Sequence, residues 1–155
     1  MVASTIRSAF EYQGQKCSAC SRVYVPESLW SEVKEGLIET QKSLKVGAAT
    51  DPESFMSAVI DKKAFQRISG YIDHAKASPN CSIVAGGGYD DSVGYFVEPT
   101  IVQTSTPEDR IFQEEIFGPV VTVYVYPDND CLDTLKAIQT HTPYALTGAL
   151  YCQDQ

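Results

Sequence analysis

Apolar and polar residues follow helical spacing most clearly between Asp61 and Ser78. The apolar residues that share one helical face in this stretch are Phe65, Ile68, Ile72 and Ala75. Lysine, glutamine and aspartate side chains occupy the other positions, which is the pattern of an amphipathic helix. Asp61 is placed to cap the first turn, and Pro79 is placed to end the helix. The pattern therefore predicts a helix that packs one face against a core.

Three further stretches are predicted to be helical. Thr5–Tyr12 forms a short helix, and Pro26 opens a second one at a position where its missing N–H does no harm. This second helix ends before Gly47. Its apolar stripe consists of Leu29, Val33, Leu37 and Ile38. A final helix is predicted over Asp130–Thr140. The residues that we expect it to turn inward are Leu132, Leu135 and Ile138.

The stretch Val120–Tyr126, with the sequence VVTVYVY, is the strongest strand candidate. Its almost continuous apolar character is typical of a strand that is buried on both faces of a parallel sheet. The other predicted strands are Ser21–Val25, Ser82–Ala85, Gly94–Glu98, Thr100–Gln103 and Thr147–Tyr151. The glycines at 86–88 lack the spacing of a phosphate-binding loop, so we expect a hairpin loop there. The order of helices and strands predicts an α/β layer structure.

The composition is that of a globular protein, with 43% hydrophobic and 21% charged residues among 155. This length fits one domain with a substantial core. The formal net charge of −8 argues against nucleic acid or an anionic membrane as the main partner. No apolar run approaches the roughly 20 residues of a membrane-spanning helix. Five cysteines are an odd number for a disulfide framework, so we expect free thiols in a reducing compartment.

Two of the cysteines, Cys17 and Cys20, form a CxxC inside the stretch FEYQGQKCSACSR at residues 10–22. Small neighbouring residues leave a sulfur accessible, and Gly14 allows the backbone to approach a ligand closely. From these residues alone, the stretch is compatible with a nucleophile, a redox pair or two inert thiols. A zinc site needs about four ligands, whereas the two histidines are isolated in the sequence and His74 is expected at the surface.

The stretch QEEIFGP at residues 113–119 is the second candidate for chemistry. Two adjacent carboxylates precede an aromatic residue, a glycine turn and the predicted buried strand. A solvated turn before a strand would produce the same pattern. In the functional interpretation, a carboxylate accepts hydrogen bonds from sugar hydroxyls while Phe117 packs beside a flat ring.

The two stretches together resemble the aldehyde dehydrogenase superfamily. FEYQGQKCSACSR is followed by EEIFGPV, with GYFVEPTIV between them and YALTGALY after them. In that family the first stretch carries the catalytic cysteine and the second contacts the nicotinamide ribose. The resemblance covers essentially the whole chain. It implies an NAD-dependent oxidoreductase whose catalytic domain has three α/β layers, with a mostly parallel sheet and flanking helices.

Carried over by position, the resemblance makes Cys17 the nucleophile, and its backbone N–H would form part of an oxyanion hole. Glu115 matches the glutamate that binds the nicotinamide ribose, and Phe117 matches the aromatic residue beside the nicotinamide. Ser18 is a candidate for holding the substrate carboxylate. Cys20 becomes a structural neighbour, and no metal is implied.

Within the superfamily, several runs resemble the members that oxidise glutamate γ-semialdehyde, which forms from 1-pyrroline-5-carboxylate, to glutamate in the mitochondrial matrix. These runs are RSAFEYQGQKCSACSRVYVP, SAVID, DDSVGYFVEPTIV and VYVYPD. The resemblance thus implies a role in proline catabolism, a small aldehyde substrate and a homo-oligomeric parent enzyme.

Much of the family's machinery lies outside the matching residues. The dinucleotide-binding segment, the oxyanion-hole asparagine and the general-base glutamate precede the cysteine stretch, where this chain has sixteen residues. The substrate-anchoring loop and an oligomerisation strand follow the position of Gln155. We therefore expect residues 1–155 to be a catalytic-domain fragment, without the dinucleotide-binding domain, that is inactive by itself. Two alternatives stay open: a non-catalytic binding or structural module derived from such a domain, and a thiol–disulfide protein that uses the CxxC.

Overall fold

Five helices and six strands make up the computed structural model, which describes residues 1–152. The helices and strands are α1 (Val2–Phe10), β1 (Arg22–Pro26), α2 (Glu27–Lys42), α3 (Lys62–Ala77), β2 (Cys81–Ala85), β3 (Tyr89–Asp90), β4 (Phe96–Val97), β5 (Thr100–Thr104), α4 (Arg110–Gln113), β6 (Val120–Tyr126) and α5 (Cys131–Ile138). Short 3-10 turns at Glu11–Gly14 and Asp128–Asp130 follow α1 and β6. None of the described helices is long and apolar enough to cross a membrane.

A four-stranded sheet in the order β1-β6-β5-β2 forms the middle of the molecule. The inner strand β6 pairs in parallel with β1, where Val23 lies opposite Val123, and with β5, where Val102 lies opposite Thr122. Strand β2 is antiparallel to β5, and β3 and β4 form a separate antiparallel pair. The predicted α/β fold with a mostly parallel sheet is therefore confirmed.

The apolar side chains of the sheet point alternately to two cores. Ile101 and Val121 pack with α1 and α2 on one face, whereas their neighbours Val102 and Val120 pack with α3 on the other. This alternation is the period-two geometry of a strand. Because β6 is covered on both faces, its sequence is apolar almost throughout, as predicted. The sheet lies between two layers of helices, which gives the expected three layers.

Helix α3 matches its prediction closely. The Asp61 carboxylate accepts a hydrogen bond from the Ala64 N–H at 2.7 Å, as an N-cap does. The predicted apolar face, formed by Phe65, Ile68, Ile72 and Ala75, is buried. Helix α3 therefore has a fixed rotation against the sheet, and its remaining faces are available for polar contacts.

Helix α5 is present, but its predicted orientation is wrong. Leu132 and Leu135 are 72% and 42% exposed, and the buried residue is Thr134. The spacing of the leucines shows only that they share a face; which face packs is decided by the neighbouring elements.

The predicted strand Thr147–Tyr151 is also wrong. These residues are exposed and pair with no strand in the part of the chain that the structure describes. An apolar run indicates which side chains share a surface, but a strand also needs a neighbouring backbone to complete its hydrogen bonds. No element within residues 1–152 supplies that backbone for this segment.

The glycines at 86–88 do not form a hairpin loop between paired strands. They connect β2 to β3, and these strands belong to different sheets. Gly86 has a φ of +73°, and a Cβ on it would lie 2.3 Å from the Pro99 carbonyl oxygen. The chain therefore passes too close to a neighbouring backbone for any side chain at this position.

Candidate active site

The cysteine stretch begins with a left-handed turn. Tyr12, Gln13 and Gly14 have φ values of 58°, 59° and 64°. Such a conformation costs a residue other than glycine about 1–3 kcal/mol, so it persists only where the surroundings hold it. The turn redirects the chain as it leaves α1 and leads into the loop that carries Cys17.

Two hydrogen bonds hold this loop in place. The Cys20 N–H donates to the Ser8 carbonyl oxygen in α1 at 3.2 Å. The side-chain oxygen of Gln15 accepts from the Ile60 N–H at 2.9 Å. Cys17 lies between these anchors and is exposed. The loop therefore presents one thiol to solvent from a backbone that is tied on both sides.

Cys20 has a different environment. It is half-buried against the core that α1 and α2 form, and its Sγ donates to the Arg22 carbonyl oxygen at 3.6 Å. Burial raises the pKa of the Cys20 thiol, so this cysteine is the less reactive of the pair. All five cysteines lie within the described residues and are free thiols.

The second stretch alternates between two surroundings. Glu114 accepts a hydrogen bond from the Tyr71 hydroxyl of α3, and Ile116 is buried in the core beside the same helix. Glu115 and Phe117 instead line a cleft. Successive side chains from 114 to 117 thus face the two surroundings in turn. This explains why the second acid of the pair, rather than the first, is available to a ligand.

One cleft of about 390 Å³ contains three of the four predicted site residues, Cys17, Glu115 and Phe117. The sequence stretches that contain them are far apart in the chain and meet at this point. The fourth residue, Ser18, is exposed but does not line the cleft.

Sequence reasoning missed two other parts of this cleft. Arg22 lines it while its Nη1 donates to the Phe112 carbonyl oxygen at 3.2 Å. Pro143–Thr147 forms another wall. Arg22 stood inside the cysteine stretch and could have been singled out by its charge, whereas nothing in the pattern of residues 143–147 indicated where the segment would fold.

The wall segment Pro143–Thr147 is held by two contacts that precede it. The Tyr24 hydroxyl and His141 Nδ1 share a hydrogen bond at 3.0 Å. The Thr142 hydroxyl donates to the Gln113 carbonyl oxygen at 2.9 Å. Burial raises the pKa of Tyr24 to about 12, which keeps its phenol neutral and able to donate. The wall is thus tied both to β1 and to the stretch that carries Glu115.

A second cavity, of about 690 Å³, shares Phe117 with the cleft. The residues that line it include Gln13, Gln15, Met56, Lys63 and Arg67. Phe117 borders both cavities, is 39% exposed and has a φ of 53°. An aromatic residue in the left-handed region is uncommon and indicates a backbone held by its surroundings.

His74 was expected at the surface, and its side chain is 29% exposed while it also contacts a distant loop. Its side chain is half-buried, and its Nε2 lies 2.7 Å from Asp109 Oδ1. The helix pattern indicated a half-exposed position but gave no sign of the carboxylate that reaches it from a distant loop. His74 lies outside the set of residues that line the cleft.

The chemical content of the cleft is a thiol, a carboxylate and an aromatic ring. An accessible thiol can attack an electrophilic carbon. A carboxylate can accept hydrogen bonds from hydroxyl groups, and a partly exposed ring offers a face to a flat ligand. Among the described lining residues, Arg22 is the one cation and Glu115 the one acid.

The sequence model of the aldehyde dehydrogenase family matches residues 1–155. The delta-1-pyrroline-5-carboxylate dehydrogenase of Danio rerio is 57% identical over 100% of this chain, and that of Homo sapiens is 55% identical over the same share. In both cases the match covers 28% of the relative. The chain thus spans little more than a quarter of the length of these relatives.

Solved structures agree in fold. The delta-pyrroline-5-carboxylate dehydrogenase of Mycobacterium tuberculosis superposes with a TM-score of 0.91 at 41% identity, over 98% of this chain and 28% of that one. A structure of the same enzyme bound with NAD gives a TM-score of 0.88 at 40% identity, over 98% and 27% of the two chains.

Proposed function

The chain belongs to the aldehyde dehydrogenase family, and on that basis we propose that it is the thiol-bearing part of an NAD-dependent dehydrogenase. The proposed reaction oxidises glutamate γ-semialdehyde to glutamate. One observation carries the proposal: Cys17, Glu115 and Phe117, which the resemblance assigns to catalysis and cofactor binding, line the same cleft. The substrate assignment is supported by relatives that are named delta-1-pyrroline-5-carboxylate dehydrogenase.

Cys17 is the nucleophile of the proposed reaction. Its thiolate adds to the aldehyde carbon, so that a C–S bond forms and the π electrons of the carbonyl move to oxygen. The backbone N–H of Cys17 donates to that oxygen. The C=O bond then re-forms as the C–H electron pair leaves as hydride, which oxidises the carbon to a thioester. Water cleaves the C–S bond, releases the carboxylate with one proton and returns the thiol.

NAD supplies the hydride acceptor when it is bound. The residues of the cleft fit such a group. Within residues 1–152, the hydrogen bonds of the acid pair involve Glu114, so the Glu115 carboxylate is available to ribose hydroxyls. The ring of Phe117 is exposed enough to meet a flat heterocycle. In the proposal, Glu115 holds the ribose, Phe117 orients the ring beside it, and Ser18 stays a candidate for the substrate carboxylate.

The 155 residues by themselves are proposed to be inactive. Residues 1–155 match 28% of the length of the Danio rerio and Homo sapiens relatives, and the proposed activity is that of an enzyme of the relatives' length. The names of the Danio rerio and Homo sapiens relatives place them in mitochondria, and we extend this location, in the matrix, and a homo-oligomeric state to the complete enzyme.

A chimera tests the proposal. Residues 1–155 replace the matching residues of the Danio rerio dehydrogenase, and NADH formation with glutamate γ-semialdehyde is measured. We expect activity from the chimera, none from its Cys17→Ala variant and none from the 155-residue chain alone. A Cys17→Ala chimera as active as its parent would overturn the proposal. So would an inactive chimera that folds, because a non-catalytic module would then fit the data better.

A further inference from the structure

Four side chains along one face of α3 and at its C-terminal end contact the segment 109–117. Their spacing of four, three and four residues places them along one side of the helix. They are Arg67, Tyr71, His74 and Ser78. Their partners follow in reverse order, from Ile116 through Glu114 to Asp109. The helix therefore runs antiparallel to the segment and is bonded to it at three levels.

The first level fixes the start of the segment. Asp109 Oδ1 lies 2.7 Å from His74 Nε2, and Oδ2 accepts from the Ser78 hydroxyl at 3.0 Å. The same carboxylate caps α4 by accepting from the Ile111 N–H at 3.1 Å. Burial acts to raise the pKa of Asp109, but hydrogen bonds from Ile111, His74 and Ser78 outweigh it and hold that pKa below its ordinary value. The charged carboxylate is thus the form that the site stabilises.

The second and third levels flank the site residues. The Tyr71 hydroxyl donates to the Glu114 carboxylate, and the Arg67 Nε donates to the Ile116 carbonyl oxygen at 3.1 Å. Glu114 also accepts from Arg110 Nη2 at 3.2 Å. The hydrogen bond from Tyr71, with smaller contributions from Arg110, lowers the pKa of Glu114. The residues on either side of Glu115 are therefore both bonded to α3.

We propose that Tyr71 and His74 are positioning residues: through Glu114 and Asp109 they set where Glu115 and Phe117 stand in the cleft. This inference rests on the proposed function, which makes Glu115 and Phe117 the cofactor-binding pair. A site that holds a ligand must keep its side chains within a fraction of an ångström of their working positions. Because residues 114 and 116 flank Glu115, and residue 116 precedes Phe117, fixing residues 109, 114 and 116 leaves residues 115 and 117 little freedom to move.

The polar contacts are separable from the packing of the helix. Apolar packing of α3 comes from Ile68 and Ile72, which are fully buried. The ring of Tyr71 packs under the Arg110 guanidinium at 4.8 Å from its centroid. A Tyr71→Phe variant keeps that ring and removes only the hydroxyl. The effect of the Tyr71 hydroxyl on the position of the segment 109–117 can therefore be tested while the apolar packing of α3 is largely kept.

The structure also supplies a matched control. Tyr89 donates from its hydroxyl to Asp73 Oδ1 at 2.7 Å, and Asp73 belongs to α3 as Tyr71 does. Within residues 1–152, no side-chain hydrogen bond or ion pair joins this tyrosine–carboxylate pair to the segment 109–117. Tyr89, in β3, therefore offers a control in which Tyr89→Phe removes the same chemical group from a hydrogen bond to the same helix.

The first test uses the 155-residue chain and measures amide hydrogen exchange. In Tyr71→Phe, exchange is expected to speed up about three- to tenfold, the size of one lost hydrogen bond, at Gln113 and Glu114, whose N–H groups donate to the Asp109 and Arg110 carbonyl oxygens. Exchange in β6 should stay unchanged, and Tyr89→Phe should leave both regions unchanged. A His74→Ala variant should act as Tyr71→Phe does. Unchanged exchange at Gln113 and Glu114, or the same acceleration in β6, would overturn the inference.

The second test measures function in the chimera. Tyr71→Phe should raise KM for NAD about three- to tenfold. KM for the aldehyde and the rate of Cys17 alkylation should stay within about twofold of the values for the parent chimera. An equal rise of both KM values would mean that Tyr71 serves the fold rather than the cofactor segment. The two proposals fail separately: activity without Cys17 sinks the proposed function, whereas an unchanged KM for NAD sinks the positioning role alone.

Discussion

Gly14 and Gly118 are in backbone contact. A Cβ built on Gly14 would lie 2.3 Å from the Gly118 carbonyl oxygen, and one on Gly118 would lie 2.5 Å from Ile68. The two glycines let the cysteine stretch and the Glu115 stretch meet above α3 with no side chain between them. The contact therefore sets how far Cys17 stands from Glu115 and Phe117.

Substitution of Gly14 tests this contact. Gly14→Ala places a methyl group against the Gly118 backbone and puts a residue other than glycine at a φ of +64°. We expect the free energy of unfolding to fall by at least about 1–3 kcal/mol, because the strained backbone and the steric clash both destabilise the variant. Denaturant unfolding measures it. Gly70→Ala is the control, because nothing lies within 4 Å of its Cβ in α3 and alanine is the better helix former. If Gly14→Ala and Gly70→Ala have the same free energy of unfolding, the contact between Gly14 and Gly118 tolerates a side chain.

Alkylation distinguishes the two cysteines of the CxxC. Cys17 is exposed, whereas Cys20 is half-buried with a pKa raised by burial. Iodoacetamide at neutral pH is expected to modify Cys17 at least about tenfold faster than Cys20. Peptide mass mapping over time gives both rates. Preferential labelling of Cys20, or rapid formation of a Cys17–Cys20 disulfide under mild oxidation, would favour a redox pair.

Neutralising Glu115 tests its proposed role. In the chimera, Glu115→Gln is expected to raise KM for NAD about tenfold, because hydrogen bonds to a charged acceptor are stronger than those to a neutral one. KM for the aldehyde should change little. Glu39→Gln, an exposed acid on α2, controls for the change in net charge. If the two variants have the same KM for NAD, the ribose-binding role of Glu115 is wrong.

Alkaline pH should weaken the fold through Tyr24. Burial raises its pKa from 10.0 to about 12 in the folded chain. Between these values the folded state holds more protons than the unfolded state, so stability is fully present below pH 10 and falls as pH rises through about 12. Unfolding free energy measured across this range should fall less steeply in Tyr24→Phe. Tyr151→Phe, at an exposed position, is the control, and its unfolding free energy should vary with pH as that of the parent does. If the unfolding free energy of Tyr24→Phe falls with pH as steeply as that of the parent, Tyr24 is not the group responsible.

Local pattern was sufficient for the elements that are buried on a periodic face. Helix α3 and strand β6 were predicted nearly to their ends because burial decides each of their positions. The same reasoning failed for α5, where Leu132 and Leu135 are exposed, and for Thr147–Tyr151, which is exposed throughout. Periodicity identifies a shared face, but a packing partner decides whether that face is buried.

The candidate site divides in the same way. Cys17, Glu115 and Phe117 were named from two short stretches, and the structure brings all three to one cleft. The wall at 143–147 and the contact of His74 with Asp109 arise from tertiary folding between distant segments. A local sequence pattern does not predict contacts between segments that are far apart in the chain. The roles of the three residues stay predictions that the variants above test.

A covalent intermediate tests the central claim most directly. The chimera is mixed with glutamate γ-semialdehyde and NAD, quenched with acid and digested, and its peptides are weighed by mass spectrometry. The account predicts an acyl adduct on the peptide that carries Cys17, present in Cys20→Ala and lost in Cys17→Ala. An adduct on another cysteine, or turnover with no dependence on Cys17, would contradict it.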